Sequence, residues 1–192
     1  MGQSPASSRA PSPSGVIPAH IPLDAHHIVH IDTSKPIPFD EHSFGSYCFD
    51  TYGCKVLYNG RYDSHDPEDV KQASSASLGA KYPDDMYASW IGIRNFPRPA
   101  HVTWRSKDGQ PHEAEVDIAK IFADQTVRHR VPQADLPAIL KAPVYPGIIL
   151  EVNDRTINVY MRAFVTTNKL QIAGNPYSSF RDDLILVHSK TY

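Results

Sequence analysis

The sequence predicts a mainly β (α+β) fold, an antiparallel sheet or sandwich built of hairpins, with one or two short helices. Seventeen prolines and ten tyrosines suit strands and loops better than a helical bundle. The segments 88–118 and 147–166 alternate between polar and apolar residues, as half-buried strands do. A chain of 192 residues that is 41% hydrophobic can bury the core of a single domain.

The N-terminal residues differ in composition from the rest of the chain. Residues 1–22 are rich in Pro, Ser and Ala, and Arg9 is their one charged residue, which predicts a flexible tail. Residues 23–192 are predicted to form a single β-rich domain. Residues 1–14 lack the apolar core of a secretory signal, which leaves open a native signal segment that has been removed.

The first half of the domain is predicted to contain three strands and a helix. The strands are His26–Ile31, Phe44–Phe49 and Lys55–Tyr62, the last two on either side of a cysteine turn. The helix is predicted over 66–77, because Asp66 can cap it and Pro67 suits the first helical position. Gly79 is expected to end it.

The central segment is predicted to contribute three more strands. They are Ser89–Arg94, Val102–Arg105 and His112–Ile118. Pro97 and Pro99 cannot donate to a strand ladder, so the chain leaves the sheet or follows its edge there. In the last strand, apolar Ala114, Val116 and Ile118 alternate with acidic Glu113, Glu115 and Asp117, which predicts a hairpin with one dry and one wet face.

The C-terminal part is predicted to end in a hairpin, a loop and a closing strand. Short helical turns are expected at Ala119–Asp124 and Gln133–Leu140, hairpin strands at Gly147–Val152 and Thr156–Thr166, a long loop at Asn168–Arg181 and a strand at Asp183–His188. Tyr160 and Phe164 make the second face of the hairpin partly apolar, which suggests that this face is covered.

The two cysteines, Cys48 and Cys54, flank a short segment whose Asp50 and Gly53 favour a tight turn. Such a turn brings the sulfurs within bonding range, so a small disulfide loop in an oxidising compartment such as the periplasm is predicted. Two reduced thiols in a cytosolic protein are the alternative. A zinc site would need two more ligands, and the sequence has no second Cys pair.

The sequence shows no motif of a known chemistry, so the chain is predicted not to be an enzyme and to have no catalytic, cofactor-binding or metal-binding residue. It has no G-x-S-x-G nucleophile turn and no Gly-rich phosphate loop. Glu113, Glu115 and Asp117 are candidates for glycoside hydrolysis, against solvated carboxylates on the wet face of a hairpin. Cys48 with a histidine base is the other candidate, against disulfide chemistry with Cys54.

A group of histidines near the start of the domain has the composition of a metal cluster. It consists of His20, His26, His27 and His30, with Asp24 and Asp32 nearby. No further ligand is placed by a regular spacing, so exposed edge-strand histidines are the preferred interpretation.

Acidic residues and tyrosines between positions 58 and 87 have the composition of a protein-binding surface. The residues predicted to contact a partner are Tyr58, Arg61, Tyr62, Asp63, Tyr82, Asp84, Asp85, Met86 and Tyr87. A solvated helix start and loop is the alternative. The balance of 19 basic against 21 acidic residues argues against a nucleic-acid partner.

Three motifs of the chain resemble a known group of proteins. They are W-x-G-x-x-x-x-P from Trp90, V-T-W-R-S-K-D-G-x-x-H-x-A-x-V-D-I from Val102, and G-I-I-L-E-V-N-D-R-T-I-N-V-Y from Gly147. They are similar to bacterial lipoprotein families that include immunity proteins of type VI secretion phospholipase effectors, in particular the third class of such lipases. The lipidated cysteine of those lipoproteins has no counterpart before Ser4 here.

The resemblance implies a periplasmic protein that binds a cognate lipase effector and occludes its active site, with no cofactor. It also implies membrane tethering through a removed N-terminal signal or lipid anchor. It transfers no binding residue, because immunity surfaces diverge with their toxins. A small periplasmic β-fold hydrolase and a glycan-binding module with an aromatic platform are the alternatives.

Overall fold

The computed structural model describes residues 29–192 and is mainly β, with antiparallel sheets and short helices, which confirms the predicted fold class. The strands are β1 (Ile31–Asp32), β2 (Glu41–Phe49), β3 (Tyr52–Tyr58), β4 (Arg61–His65), β5 (Trp90–Arg94), β6 (Ala100–Arg105), β7 (Pro111–Val116), β8 (Ile139–Leu140), β9 (Gly147–Asn153), β10 (Thr156–Arg162), β11 (Val165–Thr166), β12 (Phe180–Arg181) and β13 (Leu184–Thr191). A single α-helical turn, α1, spans Ile118–Ile121. The predicted tail, 1–22, and the first half of the predicted strand His26–Ile31 lie outside the described residues.

Five strands form the larger sheet, in the order β13-β10-β9-β2-β5. Its neighbours are antiparallel except for β2 and β9, which run parallel and pair Ser43 with Gly147. The β9–β10 hairpin was predicted, and it turns at Asp154 and Arg155. The parallel pair was not predicted, because strands that are far apart in the sequence carry no local signal of their pairing.

Four strands form a second, antiparallel sheet in the order β4-β3-β6-β7. The predicted alternation of β7 is confirmed, since Ala114 and Val116 are buried and Glu113 and Glu115 are exposed. One buried cluster includes Phe44, Leu150, Val159 and Met161 of the larger sheet together with Val56, Val102 and Trp104 of the smaller one. The inner faces of the two sheets therefore share one core, as in a sandwich.

The other face of the larger sheet is covered by residues 74–89, the covering segment. Its Met86 packs in a second buried cluster with Phe49, Ile149, Tyr160 and Leu184. Five consecutive residues of β9 are consequently buried, which explains its continuous apolar run. The predicted covering of this face is confirmed at Tyr160 and is wrong at Phe164, which is 58% exposed.

A buried histidine, His42, lies in β2 with Tyr58 and Asn95 on either side of its ring. Its Nδ1 is 2.8 Å from Asn95 Oδ1, and its Nε2 is 3.0 Å from the Tyr58 hydroxyl. The Asn95 amide nitrogen donates to the Phe39 carbonyl, so Asn95 Oδ1 accepts a hydrogen bond from Nδ1–H of His42. The Tyr58 hydroxyl then donates to Nε2, and neutral His42 satisfies both partners.

The predicted strand Lys55–Tyr62 is wrong, because it consists of two strands. Asn59 and Gly60 form a two-residue turn between β3 and β4, with φ angles of 47° and 77°. Asn-Gly suits such a turn because both positions need a positive φ. The Asn-Gly pair indicates this turn in the sequence. The β-favouring residues on either side of it instead led to the prediction of one continuous strand.

The predicted helix over 66–77 is also wrong. Backbone groups there bond to β3 and its approach instead of to one another: Asp66 N donates to Cys54 O at 2.9 Å, and Gly53 N donates to Pro67 O at 3.1 Å. Gln72 N donates to Thr51 O at 2.7 Å. Only a 3-10 turn forms, at Ser75–Lys81. The capping signals are local, and tertiary hydrogen bonds outweigh them.

The remaining elements follow the predictions in part. The turn α1 lies at the predicted Ala119–Asp124, whereas Gln133–Leu140 holds a 3-10 turn at Gln133–Asp135 and the two-residue β8. The predicted loop Asn168–Arg181 ends in β12, which pairs with β11. No helix within residues 29–192 is long and apolar enough to cross a membrane.

Candidate functional site

Arg162, the last residue of β10, has a largely buried side chain that joins three separate parts of the chain. Its Nη1 donates to the Asp182 carbonyl at 3.0 Å, and its Nη2 donates to the Asp84 carbonyl at 2.6 Å. The guanidinium also lies 4.2 Å from the centre of the Tyr87 ring. Arg162 therefore holds the covering segment and the loop before β13 against the same sheet end.

Tyr87 is exposed at this junction, yet its backbone is fixed. The Tyr47 hydroxyl accepts a hydrogen bond from Tyr87 N at 2.9 Å and donates one to Tyr87 O at 3.0 Å. A Cβ on Gly45 would lie 2.8 Å from Tyr87 O, so the close approach of this segment to β2 requires glycine there. The Tyr87 side chain, 51% exposed, thus lies against the guanidinium of the largely buried Arg162.

The loop that joins β10 to β13 carries exposed apolar side chains. Phe164, 58% exposed, stacks on Phe180 with ring centroids 4.1 Å apart. Ile172 and Tyr177 are also exposed, Tyr177 by 84%, and they line a shallow cavity of about 390 Å³ together with Phe180. Backbone hydrogen bonds across the loop, such as Gln171 N to Ser178 O at 2.8 Å, give it a defined shape.

A second arginine–aromatic pair lies along the chain from Tyr87. Arg61 of β4 is 4.3 Å from the ring centre of Trp90, which is three residues beyond Tyr87. Arg61 and Trp90 therefore form a second arginine–aromatic pair, three residues from Tyr87 in the sequence. We define the aromatic strip as Arg61, Tyr87, Trp90, Arg162, Phe164, Tyr177 and Phe180.

Only some of the residues predicted to contact a partner are free to do so. Arg61, Tyr62, Asp84, Asp85 and Tyr87 are exposed. Tyr58 and Met86 are corrected to core residues, because they are 1% and 0% exposed and pack in the two buried clusters.

Two further members of the predicted surface have structural contacts. Asp63 accepts hydrogen bonds from Ser46 N at 2.5 Å and from the Ser46 hydroxyl at 2.7 Å, which ties β4 to β2. The Tyr82 hydroxyl is directed inward to Glu151. Both residues are half-buried, so their contribution to a binding surface is smaller than composition suggested.

Glu151 of β9 is fully buried and accepts four hydrogen bonds. Its donors are the Tyr82 hydroxyl at 2.7 Å, the Tyr160 hydroxyl at 2.9 Å, the Asn158 amide at 2.9 Å and the Asn153 amide at 3.2 Å. Burial, and then the adjacent Glu151, raises the pKa of Tyr82 and of Tyr160, so both hydroxyls stay protonated as donors. The buried carboxylate anchors the covering segment to the sheet.

The candidates for catalysis have structural contacts as well. His101 stands between Glu115 and Glu113, with Nδ1–Oε1 and Nε2–Oε1 distances of 2.8 and 3.7 Å, on the exposed face of the smaller sheet. Asp117 caps α1 by accepting a hydrogen bond from Lys120 N at 2.9 Å. Of the predicted histidine group, His20, His26 and His27 lie outside the described residues.

Cys48 and Cys54 are joined by a disulfide in the structure, with their Cα atoms 6.4 Å apart. The bridge closes the corner where β2 turns into β3. A sulfur engaged in a disulfide is not available as the nucleophile considered from the sequence.

Native protein that is digested without reductant and analysed by mass spectrometry is expected to yield a peptide in which Cys48 and Cys54 are linked. Reduction should lower the unfolding free energy by about 2 kcal/mol, since the bridge closes a short loop. Urea unfolding with and without a phosphine reductant measures this loss. Two free thiols in the native protein would contradict the prediction.

Sequence reasoning missed Arg162, Phe164, Tyr177 and Phe180. A signal was available for Tyr177 and Phe180, because 168–181 was interpreted as a loop although it also carries Leu170 and Ile172, whereas Phe164 was assigned to the predicted strand Thr156–Thr166. Such residues in a loop either pack inward or form an exposed patch. For Arg162 no local signal existed, since its partners Asp84 and Asp182 are brought to it only by the fold.

The fold and the site together define a class: a mainly β protein in which arginine side chains pack against the rings of partly exposed aromatic residues. No protein family, curated protein or solved structure matches the chain. The residues of the chain itself are therefore the basis of any functional assignment.

Proposed function

We propose that this protein is an immunity protein that binds a cognate antibacterial type VI secretion lipase effector and blocks its active site. The observation that carries the proposal is the aromatic strip. Tyr, Trp and Arg are the residues that dominate binding energy in protein interfaces. Here Tyr87 and Trp90 are each paired with an arginine, at 4.2 and 4.3 Å.

The strip is already ordered in the free protein. Tyr87 is held by Tyr47, and Arg162 is held by carbonyl groups of two other segments. A rigid surface loses less conformational entropy when it binds, so more of the contact energy remains as affinity. This favours a tight, stoichiometric inhibitor.

The apolar loop supports a lipase as the partner. A lipase admits acyl chains, so the entrance to its active site is apolar. Phe164, Ile172 and Tyr177 are exposed on a loop that projects from the end of the larger sheet. Burial of an exposed phenylalanine or isoleucine side chain contributes about 1.5 to 3 kcal/mol, so such a loop inserted at the entrance would bind there and exclude substrate.

The proposed location is the periplasm, with tethering to the membrane through an N-terminal signal or lipid anchor. The Cys48–Cys54 bridge supports it, because disulfides persist in oxidising compartments.

Mixing the protein with the lipase encoded by the adjacent gene is expected to yield a one-to-one complex and loss of lipase activity. Tyr87→Ala should weaken binding by at least about 30-fold, because a central tyrosine of an interface contributes about 2 kcal/mol or more. Titration calorimetry and a phospholipid hydrolysis assay measure the two effects.

Tyr52→Ala is the matched control, since Tyr52 also lies beside an arginine, Arg105 at 5.3 Å, but is half-buried in the smaller sheet and outside the strip. It should bind within a few-fold of the wild type. A lipase that keeps full activity at a molar excess of this protein would refute the proposal for that pair. Equal losses in both variants would refute the role of the strip.

One observation favours a glycan-binding module as the second candidate. Tyr177 and Phe180 line the same cavity as Asp182 and Asp183, and flat aromatic rings beside carboxylates suit sugar rings with their hydroxyl groups. Calorimetry with soluble peptidoglycan fragments separates the two candidates. Saturable binding that Tyr177→Ala abolishes, without inhibition of the lipase, would favour the glycan module.

A further inference from the structure

The disulfide at the corner between β2 and β3 has a carboxylate beside it. One ligand atom each from Cys48, Cys54 and Asp66 lies within 4.8 Å of the other two. Asp66 directly follows β4, and its backbone N donates to Cys54 O at 2.9 Å, which fixes the acid next to the bridge. The sequence did not indicate this neighbour, because the segment was interpreted as a helix.

The position of the Asp66 side chain costs free energy, because its carboxyl group loses part of its hydration. The side chain is half-buried, and its carboxylate accepts no hydrogen bond from any residue between 29 and 192. A carboxyl group that loses water without gaining a donor is suited to a ligand that is absent from the protein chain itself.

We propose that Cys48, Cys54 and Asp66 bind a zinc ion when the disulfide is reduced. Thiolate sulfur and carboxylate oxygen are both regular zinc ligands, and three of them leave the fourth tetrahedral position to water. Zn–S bonds of about 2.3 Å place two sulfurs roughly 3.8 Å apart. Cysteines whose Cα atoms are 6.4 Å apart can meet this requirement by rotation of their side chains.

The reduction that exposes the site is a two-electron step. A trialkylphosphine attacks one sulfur, the S–S bond breaks, and water supplies the oxygen of the resulting phosphine oxide and a proton for each sulfur. Zinc then displaces both thiol protons, so binding releases two protons and becomes tighter as the pH rises. No other oxidant or reductant is required.

Zinc would keep the corner cross-linked in the reduced protein. Cys48 belongs to β2 and Cys54 to β3, which lie in different sheets. The disulfide joins them directly, whereas the ion would join them through two thiolates and add Asp66 from the end of β4. Cys48 and Asp66 are half-buried, so an ion can reach the site from solvent. This inference is independent of the proposed function.

Cobalt substitution tests the site in the full-length protein. After reduction with a trialkylphosphine in the absence of oxygen, Co²⁺ should produce the thiolate-to-metal charge-transfer absorbance of a tetrahedral sulfur site. One equivalent of Zn²⁺ should abolish that absorbance. The oxidised wild type should show none of it, and this comparison needs no variant that might fail to fold.

Asp66→Asn should weaken Zn²⁺ binding at least about tenfold, since even the loss of a partner outside the ligand shell has an effect of that size. Asp69→Asn, three residues away on the same loop and exposed, is the matched control and should leave affinity unchanged. Competition against a chromogenic zinc chelator measures both. Absence of the thiolate-to-Co²⁺ absorbance in the reduced protein would overturn the proposal. Equal Zn²⁺ affinity of the two variants would show that Asp66 is not a ligand.

Discussion

Replacing Glu151 by leucine should lower the free energy of unfolding by about 3 to 4 kcal/mol, because hydrogen bonds to a charged group contribute about 1.5 to 3 kcal/mol each. Leucine has a similar size but accepts no hydrogen bond. The Tyr160 hydroxyl is buried with its acceptor and would have no replacement, whereas Tyr82 and Asn158 can turn partly toward water. Burying a donor without a partner accounts for much of the loss.

Chemical denaturation at neutral pH measures the effect, with Glu113→Leu as the matched control. Glu113 is also a strand glutamate but is exposed, so its replacement should change stability by less than about 0.5 kcal/mol. Glu151→Gln should fall between the two, because the amide oxygen still accepts while its nitrogen finds only donors. Hydrogen exchange should accelerate in the covering segment of Glu151→Leu. Equal stability of the two leucine variants would show that Glu151 holds nothing in place.

Acidification should destabilise the protein through His42, by about 3 kcal/mol between pH 6.5 and pH 4. Burial lowers the pKa of His42 from 6.5 to about 4, although the hydrogen bond to Asn95 opposes the shift. In this window the unfolded chain binds a proton that folded His42 does not. The stabilisation is therefore complete above pH 6.5 and decreases as the pH falls toward 4.

Unfolding free energies measured by urea titration at several pH values test this sign. His42→Gln should flatten the dependence between pH 6.5 and 4, even if the variant is less stable throughout. His65→Gln, which alters an exposed histidine, should keep the slope of the wild type. Burial also lowers the pKa of His129, which adds a slope of the same sign to every variant, so the decisive quantity is the difference between variants. Parallel curves for His42→Gln and the wild type would contradict the prediction.

Local patterns in the sequence predict the elements whose structure is decided locally. The alternation in β7 and in β10 reports which side of each strand is buried, and both assignments are confirmed. The prediction of a helix after Asp66 is wrong for the opposite reason. The capping residues of this segment favour a helix, but its backbone groups bond to Cys54, Gly53 and Thr51 across a corner that exists only in the folded chain.

The candidate site was predictable only in part for a similar reason. Composition identifies tyrosines and acids but not the direction in which each side chain points. Tyr58 lies on the inner face of β3 and Met86 lies beneath the covering segment, so both are buried, while Tyr87 next to Met86 is exposed. Arg162 acquires its role from carbonyl groups of Asp84 and Asp182, which no sequence pattern connects to it.

The parallel pairing of β2 with β9 also constrains the order in which the chain can assemble. The smaller sheet draws on residues 52–116 alone, so its strands meet over short separations. β2 must instead wait for a strand about a hundred residues further on, which takes roughly 5 to 20 seconds at ordinary rates of synthesis. Pairings between distant segments are slow because a long loop has to close first. The nascent protein therefore completes its smaller sheet early and keeps β2 unpaired along one edge until its C-terminal third emerges.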